Sequence, residues 1–364
     1  MTPVRVEQDA LRQSSAVLAL ALILGSCGHG EQQRVTVLPK PLYQLVIPVP
    51  AKAVKEIVAP QVLAMNVAAL GANFPGKLGI AVKSIDEGWT VQSGGTTRLP
   101  QQSVSKLWVA MTVLDFRDQG RLRLDDPVTV RNEDLTLFHQ PSAMLIKGDG
   151  WHTTVGELLQ RALTMSDNLC NDRLLHYVGG PSAVRSFIAR KGLGDIRFGP
   201  GERDLQSGTA GLSWKPEYAA SGAFERARAA LPAAERVAAF QRYVGDPPDG
   251  AAPIAIAGAL AKLKKGEILS AESTRYLIGT MESSRTGKQR LRGAVPAGWS
   301  FGHKTGTGQD LAGRTAGYND VGILIAPDGR SYSLAVMIGD TPRSIPERQH
   351  LMQAVVMAVV LNHH

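Results

Sequence analysis

Cysteine and aromatic residues are scarce in this chain of 364 residues. It has 2 cysteines, Cys27 and Cys170, and aromatic residues make up 5% of it. A chain with so few cysteines cannot be built on a disulfide framework. Its His, Cys and carboxylate residues also lack the spacing of metal ligands, so we expect no metal and no other cofactor.

Long apolar runs, and basic tracts interleaved with aromatic residues, are missing as well. The apolar run of residues 16–24 is too short to span a bilayer. Although the formal net charge is +8, no basic run has the character of a nucleic-acid interface, so we expect no nucleic-acid binding. The excess positive charge either favours anionic envelope polymers and membrane surfaces or is an ordinary solvated surface.

The start of the chain predicts export. Residues 1–26 have the length and the apolar run of a signal peptide. They run into Leu24-Gly25-Ser26-Cys27, which resembles the bacterial lipobox, so we predict a lipid on Cys27 and an exported, membrane-anchored lipoprotein in the periplasm or cell envelope. The alternative is ordinary secretory cleavage, with Cys27 a bystander. The proline-bearing residues 27–60 are predicted to form a tether, and Cys170 is then a small buried hydrophobic residue.

Strand patterns lie near both ends of the remaining chain, and helical patterns lie between them. Turn-forming residues separate two pairs of strands and predict two antiparallel hairpins. The predicted elements are helices over residues 61–72 and 346–361 and strands over residues 79–85, 90–92, 299–304, 320–325 and 332–338. A sheet built from both ends, with a helical segment between, is an α+β pattern. We predict an α/β domain formed by residues 61–100 and 266–364 and a helical domain formed by residues 101–265.

The segment Ser103-Val104-Ser105-Lys106 stands at the start of a run of apolar residues. A helix that is apolar on nearly every face is a buried one, and Ser103 is predicted at its N-terminus, where free N–H groups favour negative charge. Lys106 lies one turn on, on the same face. A serine hydroxyl needs an adjacent base or cation to act as a nucleophile, and Lys106 supplies one. The alternative is a helix-capping Ser103 with Lys106 extending to solvent.

A second motif, Ser166-Asp167-Asn168, follows a predicted buried helix. Ser166 can pass a proton, Asp167 can hold a turn, and Asn168 can bind an amide group of a substrate. The alternative is a plain Asx turn with no part in chemistry.

A third motif, Lys304-Thr305-Gly306, is predicted to end a strand and continues into Thr307. Gly306 allows a ligand to approach the backbone closely. Lys304 supplies positive charge, and Thr305 and Thr307 supply hydroxyl groups for a substrate carboxylate. The alternative is a strand end with a solvated lysine and a glycine-rich turn.

The order of the three motifs is the signature of class A β-lactamases and penicillin-binding proteins. Over residues 61–364 the chain therefore resembles the class A serine β-lactamases, members of the penicillin-recognising serine hydrolases. The resemblance implies a five-stranded antiparallel sheet flanked by terminal helices, an all-helical domain packed against it, and an active site between them. It also implies an oxyanion hole formed by the backbone N–H groups of Ser103 and Thr307, β-lactams as small-molecule substrates, and a monomer.

The resemblance also points to Glu202, in a Gly/Pro-rich loop, as the residue that activates the deacylating water. A glutamate in such a loop is otherwise simply solvated. The family's usual proline after this glutamate is Arg203 here, and its usual asparagine four residues on is Gln206. Asp172 and His303 replace an asparagine and an aspartate of the usual pattern, and these departures resemble one extended-spectrum subgroup of class A.

Two extra segments distinguish this chain from the usual family pattern. One is an insertion of about residues 208–252, and the other, residues 309–317, follows the third motif. Arg314 lies in the second segment and is a candidate for binding the substrate carboxylate. The alternative is a solvated loop arginine.

These residues predict hydrolysis of the β-lactam amide bond through an acyl-enzyme, which is the chemistry of antibiotic resistance. Ser103 attacks the carbonyl carbon, and its proton leaves through Lys106 or through water to Glu202. Ser166, assisted by Lys304, protonates the departing nitrogen, and Glu202 activates water to release the acyl group. The alternatives are a D,D-peptidase, or penicillin-binding protein, that acts on peptidoglycan, and a non-hydrolytic β-lactam sensor.

Overall fold

Both ends of the described chain meet in one five-stranded antiparallel sheet. The computed structural model describes residues 58–363. Its strands are β1 Lys77–Ser84, β2 Thr90–Ser93, β3 Leu99–Pro100, β4 Pro127–Val130, β5 Trp151–Thr154, β6 Gly250–Ala251, β7 Ser300–Thr307, β8 Asp310–Leu311, β9 Arg314–Thr315, β10 Tyr318–Ile325 and β11 Ser331–Asp340. The order across the sheet is β2-β1-β11-β10-β7, with every neighbouring pair antiparallel. The last part of the chain, which supplies β7, β10 and β11, therefore completes the sheet that β1 and β2 begin.

Helices cover the sheet and form a layer beside it. They are α1 Gln61–Ala72, α2 Lys106–Asp118, α3 Val155–Thr164, α4 Asn168–Tyr177, α5 Gly180–Arg190, α6 Glu202–Thr209, α7 Ala223–Ala230, α8 Ala233–Gly245, α9 Pro253–Lys264, α10 Ala271–Glu282 and α11 Ile345–Leu361. Among these described helices, none combines the length and the apolarity needed to cross a membrane.

Alternation of side chains along β1 divides the core in two. Ile80 faces one side of the sheet, where it packs in a cluster with Leu63 of α1 and Val355 of α11. Ala81 faces the other side, where it joins a cluster that contains Ile256 of α9 and extends into the helical layer. The two terminal helices therefore cover one face of the sheet, and α9 covers the other.

Helix α2 runs through the middle of the helical layer. Its residues 106–115 are all buried, because apolar side chains occur on every face of the helix. Trp108 is fully buried, and its Nε1 donates to Gln101 Oε1 at 2.5 Å. Phe187 of α5 and Leu158 of α3 fill the same core. This packing fixes the turn that precedes α2.

The insertion of residues 208–252 contains two helices, α7 and α8. Tyr243 of helix α8 packs against Leu205 of α6. Phe224 of helix α7 packs against Leu137, whose carbonyl oxygen accepts a hydrogen bond from Asn168 of the second motif. The insertion is therefore a packed part of the body beside two of the segments singled out by sequence.

The predicted fold is confirmed, including the five-stranded sheet, the terminal helices and both hairpins. One boundary differs, because the strand predicted over residues 299–304 pairs with β10 as far as Thr307. The motif Lys304-Thr305-Gly306 consequently lies inside β7 rather than at its end. Cys170 is fully buried on α4, as predicted.

Burial raises the pKa of the Cys170 thiol far above its usual range, so it is an inert packing group. The predicted signal peptide, Cys27 and the tether up to residue 57 lie outside the described residues.

Candidate active site

Ser103 lies in a tight turn immediately before α2. A 3-10 helix, Gln102–Ser105, leads into Lys106, the first residue of α2, so Ser103 precedes the α-helix rather than beginning it. Gln102 has a positive φ of 53°, which costs a non-glycine residue on the order of 1–2 kcal/mol. The backbone N–H of Gln102 donates to Asp249 Oδ2 at 2.8 Å, one of the contacts that hold this conformation. Strain of this kind is concentrated at functional sites.

Lys106 contacts three of the predicted site residues. Its side chain is fully buried, and its Nζ donates to Ser103 Oγ at 2.7 Å and to Asn168 Oδ1 at 2.8 Å. The same nitrogen lies 3.6 Å from Glu202 Oε2. Two of the three N–H donors of the ammonium group have hydrogen-bond acceptors, and the Glu202 carboxylate pairs with its charge. Lys106 therefore does not extend to solvent.

Lys304 and Ser166 form a second lysine–serine contact. Lys304 is fully buried, and its Nζ donates to Ser166 Oγ at 2.8 Å and to the Thr305 carbonyl oxygen at 2.9 Å. Burial lowers the pKa of Lys304 well below its usual range, and the nearby charges of Lys106 and Arg290 lower it as well. Ser166 has a φ of 61°, a left-handed conformation that is uncommon for a residue other than glycine. A lysine of lowered pKa in contact with a hydroxyl can exchange a proton through it.

Asp167 and Asn168 begin helix α4. The Asp167 carboxylate accepts from the Cys170 N–H at 3.1 Å and caps the helix. Asn168 Nδ2 donates to the Leu137 carbonyl oxygen at 2.8 Å, while its Oδ1 accepts from Lys106. The turn expected from the alternative interpretation is present, and its asparagine also belongs to the lysine network.

Strand β7 passes close to the turn that holds Ser103. A Cβ atom added to Gly306 would lie 2.3 Å from the Gln101 carbonyl oxygen, so this approach requires glycine. Thr307, at the end of the strand, accepts a hydrogen bond on Oγ1 from Arg290 Nη2 at 2.6 Å. The strand thereby brings its backbone and two threonine hydroxyls to one wall of the site.

Arg290 is a buried cation behind this wall. Its Nη1 donates to the carbonyl oxygens of Gly306 at 2.9 Å and Asn319 at 2.7 Å, and its guanidinium carbon lies 3.7 Å from the centroid of the Tyr318 ring. Burial lowers its pKa. Arg290 was not among the predicted site residues, although it lies in the stretch that precedes β7.

Glu202 is the first residue of α6 and is 6% exposed, so it is not simply a solvated loop residue. Its Oε1 accepts from Gln206 Nε2 at 2.9 Å, and its backbone N–H donates to Asp172 Oδ1 at 3.1 Å. Burial, followed by the neighbouring charge of Glu202, raises the pKa of Asp172 to about 6. Two buried carboxyl groups therefore share this corner of the site.

These elements enclose one cleft with a cavity volume of about 420 Å³. The predicted residues that line it are Ser103, Ser166, Asn168, Glu202, Thr305 and Thr307. The two lysines lie beneath this lining, in hydrogen-bond contact with the two serines. Within residues 58–363, no group of three or more His, Cys, Asp or Glu side chains is arranged to hold a metal ion. The arrangement offers a hydroxyl nucleophile, two candidate bases and a second lysine–serine pair, which are the groups needed for acyl transfer.

Arg314 is not placed at this cleft. Its guanidinium donates to both carboxylate oxygens of Asp340, at 3.0 and 2.6 Å, and it lines a separate cavity of about 340 Å³. The hairpin of β8 and β9 directs Arg314 towards β11. Arg290 is the arginine that the structure brings to the cleft, where it lines the cavity.

Phe138 also lines the cleft and was not predicted. Its ring is 44% exposed, its φ is 59°, and it meets Phe224 of the insertion edge to face at a centroid distance of 5.2 Å. No sequence signal marks it, because a lone aromatic residue in a loop has no pattern.

Comparison with known proteins agrees with this geometry. A family model described as the Beta-lactamase enzyme family matches residues 62–362. The extended-spectrum β-lactamase PER-1 of Pseudomonas aeruginosa is 32% identical over 268 residues, which are 73% of this chain and 76% of that protein. A β-lactamase crystal structure from Chitinophaga pinensis DSM 2588 is similar at a TM-score of 0.67 and 26% identity, covering 82% of this chain and 97% of that chain. The ancestral class A β-lactamase GNCA is similar at a TM-score of 0.64 and 30% identity, covering 83% of this chain and 100% of that chain.

Replacement of Asp172 by asparagine should stabilise the protein more at high pH than at low pH. Because the folded-state pKa is raised to about 6, the cost of burying the carboxylate is absent below about pH 4, builds up between about pH 4 and 6, and is fully present above. We expect the gain in free energy of unfolding for Asp172→Asn to be about 2 kcal/mol larger at pH 8 than at pH 4.5. Urea unfolding at the two pH values measures it.

Asp204→Asn provides the matched control, because Asp204 is an exposed residue on the same helix as Glu202. Water solvates its carboxylate in the folded and unfolded chain alike, so its effect should be similar at the two pH values. A gain for Asp172→Asn that does not grow with pH would contradict the interpretation.

Proposed function

Because the chain belongs to the class A serine β-lactamases, we propose that it opens the amide bond of β-lactams through an acyl-enzyme on Ser103. The protein is a serine hydrolase of β-lactams, an activity that confers resistance to these antibiotics. The assignment of its residues rests above all on one contact, the 2.7 Å between Lys106 Nζ and Ser103 Oγ at the base of the cleft.

Acylation begins with attack of Ser103 Oγ on the lactam carbonyl carbon. The serine proton leaves directly to Lys106 in its neutral amine form or through water to Glu202. Lys106 Nζ contacts Ser103 Oγ, and Glu202 Oε2 lies 3.6 Å from that nitrogen. The tetrahedral oxygen is held by the backbone N–H groups of Ser103 and Thr307. The close approach of Gly306 to the Gln101 carbonyl oxygen supports this pairing, because it carries β7 alongside the turn.

Ser166 delivers the proton to the departing lactam nitrogen. Lys304, whose pKa is lowered by burial, donates a hydrogen bond to Ser166 Oγ, so it can give a proton to the hydroxyl as the hydroxyl gives its own to nitrogen. The C–N bond breaks as the nitrogen gains this proton, and the acyl group stays on Ser103.

Glu202 then activates the water that releases the acyl group. Its carboxylate is buried and lines the same cleft as Ser103. Both side chains lie next to Lys106 Nζ, at 3.6 Å from Glu202 and 2.7 Å from Ser103. One proton of the water passes to Glu202 as the water oxygen bonds to the acyl carbon. The bond between that carbon and Ser103 Oγ then breaks, and Glu202 returns the proton to Ser103 Oγ.

The β7 wall binds the substrate carboxylate. Thr305 and Thr307 present hydroxyl groups, Gly306 leaves room for the ligand, and buried Arg290 donates to Thr307 Oγ1 and adds positive charge. Asn168 binds the amide of the substrate's side chain. Since every one of these groups comes from one chain, we propose a monomer, and the likeness to PER-1 supports an extended-spectrum range.

Mass spectrometry after incubation with a slowly hydrolysed β-lactam should find the adduct on the peptide that contains Ser103. Ser103→Ala should abolish the adduct, because no other hydroxyl has the Lys106 contact among the described residues. Ser105→Ala is the matched control: the Ser105 hydroxyl donates to the Gln102 carbonyl oxygen, and this variant should still be acylated. An adduct on Ser105 or Ser166 would refute the assignment.

Glu202→Gln should trap the acyl-enzyme. The amide retains an oxygen for Gln206 but cannot accept a proton from water, so steady-state turnover should fall by about 100-fold or more while acylation stays measurable. Glu225→Gln, an exposed glutamate of α7, is the control and should turn over like the natural protein.

Unchanged turnover in Glu202→Gln would favour the two other functions. A D,D-peptidase would release the terminal residue of a peptidoglycan peptide and give a single burst with β-lactams. A sensor would give the burst without peptide release.

We also propose a lipid anchor at Cys27, within an exported protein. Class A β-lactamases are generally exported to the periplasm; the anchor itself is supported by the motif Leu24-Gly25-Ser26-Cys27. The natural protein should fractionate with membranes, and Cys27→Ser should block processing or release the protein, since stable anchoring needs lipid chains. Recovery of the natural protein wholly in the soluble periplasmic fraction would exclude the anchor.

A further inference from the structure

Helix α8 of the insertion brings a tyrosine hydroxyl to the residue that precedes the nucleophile. Tyr243 is 5% exposed, and its hydroxyl accepts from Gln102 Nε2 at 2.5 Å and donates to Asp249 Oδ2 at 3.2 Å. Asp249 Oδ2 also accepts from the Gln102 backbone N–H. Tyr243 and Asp249 together therefore hold the backbone and the side chain of Gln102 in its left-handed conformation.

From Gln102 the hydrogen bonds continue to Glu202. Gln102 Oε1 accepts from Gln206 Nε2 at 3.0 Å, and the same nitrogen donates to Glu202 Oε1 at 2.9 Å. Gln309 Nε2 donates to Gln206 Oε1 at 2.9 Å. These partners leave the Gln206 amide one orientation that satisfies them all. Among the described residues, Gln206 is the hydrogen-bond donor to the Glu202 carboxylate.

The hydrogen bonds that join Gln102, Tyr243 and Asp249 have fixed donors and acceptors. Burial raises the pKa of Asp249 to about 6, so above pH 7 its carboxylate is ionised and accepts. Burial also raises the pKa of Tyr243 well above its usual range, so the phenol keeps its proton and donates it to Asp249. The phenol gives its one hydrogen to Asp249, so towards Gln102 its oxygen can only accept, and the Ala316 carbonyl oxygen accepts from the same Gln102 Nε2 at 3.2 Å. Together these two acceptors orient the Gln102 amide with its oxygen towards Gln206.

We propose that Tyr243 is a positioning residue that sets the rate of deacylation. Through the hydrogen bonds of Gln102 and Gln206, it fixes the orientation of the Glu202 carboxylate. This inference rests on the proposed function of Glu202. Ser103 keeps its direct contact with Lys106, which does not pass through Gln206, so acylation retains a route that does not need Glu202. Loss of the Tyr243 hydroxyl therefore acts on the second half of the reaction.

Tyr243→Phe tests the proposal, because it removes the hydroxyl and keeps the ring in its cluster with Leu205, Phe240 and Val244. Stopped-flow kinetics with a chromogenic cephalosporin should show deacylation slowed about tenfold and acylation changed less than about threefold. Both kcat and KM should then fall together while kcat/KM stays nearly constant, since deacylation has become limiting. A burst of product should precede the steady state.

Tyr218→Phe is the matched control from the same insertion. Tyr218 is 8% exposed and packs edge to face on Phe224, away from this chain of hydrogen bonds. A general loosening of the insertion would affect both tyrosine variants and both steps. The proposal requires a loss confined to Tyr243 and to deacylation.

A double-mutant cycle with Gln206→Leu tests the route. If Tyr243 acts through Gln206, Tyr243→Phe should cost less than about twofold further in deacylation once Gln206 is replaced. Gln102→Met interrupts the same hydrogen bonds between Tyr243 and Gln206 and should slow deacylation to the same extent. This variant tests the proposal even if Tyr243→Phe does not fold.

Several outcomes would overturn the inference. Equal slowing of both steps, a Tyr243→Phe enzyme that matches Tyr218→Phe, or full additivity with Gln206→Leu would each do so and leave the role of Glu202 intact. Unchanged turnover in Glu202→Gln would instead remove the proposed deacylation step, and this inference with it.

Discussion

The buried ammonium group of Lys106 is the constraint on which the site depends. A charge removed from water is costly unless it is paired and fully hydrogen-bonded. Lys106 is hydrogen-bonded to Ser103 and Asn168 and is paired with the Glu202 carboxylate. Each of these partners lies at or just before the start of a different helix. One cation therefore fixes the relative placement of α2, α4 and α6.

The two buried lysines have different surroundings and, in consequence, different chemistry. Lys106 has a carboxylate beside it, whereas the pKa of Lys304 is lowered by burial and, to a smaller extent, by the two cations Lys106 and Arg290. Environments that separate the behaviour of like residues are a general means of assigning acid and base roles. This difference supports the proposed roles, in which Lys106 serves the nucleophile and Lys304 serves the leaving group.

The sequence indicates the reacting residues of this site better than the residues that position them. Ser103 and Lys106 are found from local spacing, because one helical turn dictates their contact. The sequence predicts Arg314 and not Arg290 as the arginine at the cleft, because the position of Arg314 depends on which way a hairpin turns and on Asp340, which is remote in sequence.

The insertion shows the same limit for the fold. The terminal helices are predicted from apolar residues at helical spacing, such as Leu351 and Val355 of α11. The strands are predicted from residues that alternate between the two faces of the sheet. The contact of Tyr243 with Gln102 spans 141 residues of sequence and depends on the packing of α8 against α6. No local pattern encodes such a contact, and the left-handed backbone of Gln102 is equally invisible until its partners are in place.

Within the described body, the single cysteine is inert. Cys170 is fully buried and its thiol does not ionise at ordinary pH, so alkylating dyes find no site there. A cysteine introduced at Val237, which is 41% exposed on α8, would carry a fluorophore without background from that body. The fluorescence of this label would then report any movement of helix α8 during a catalytic cycle.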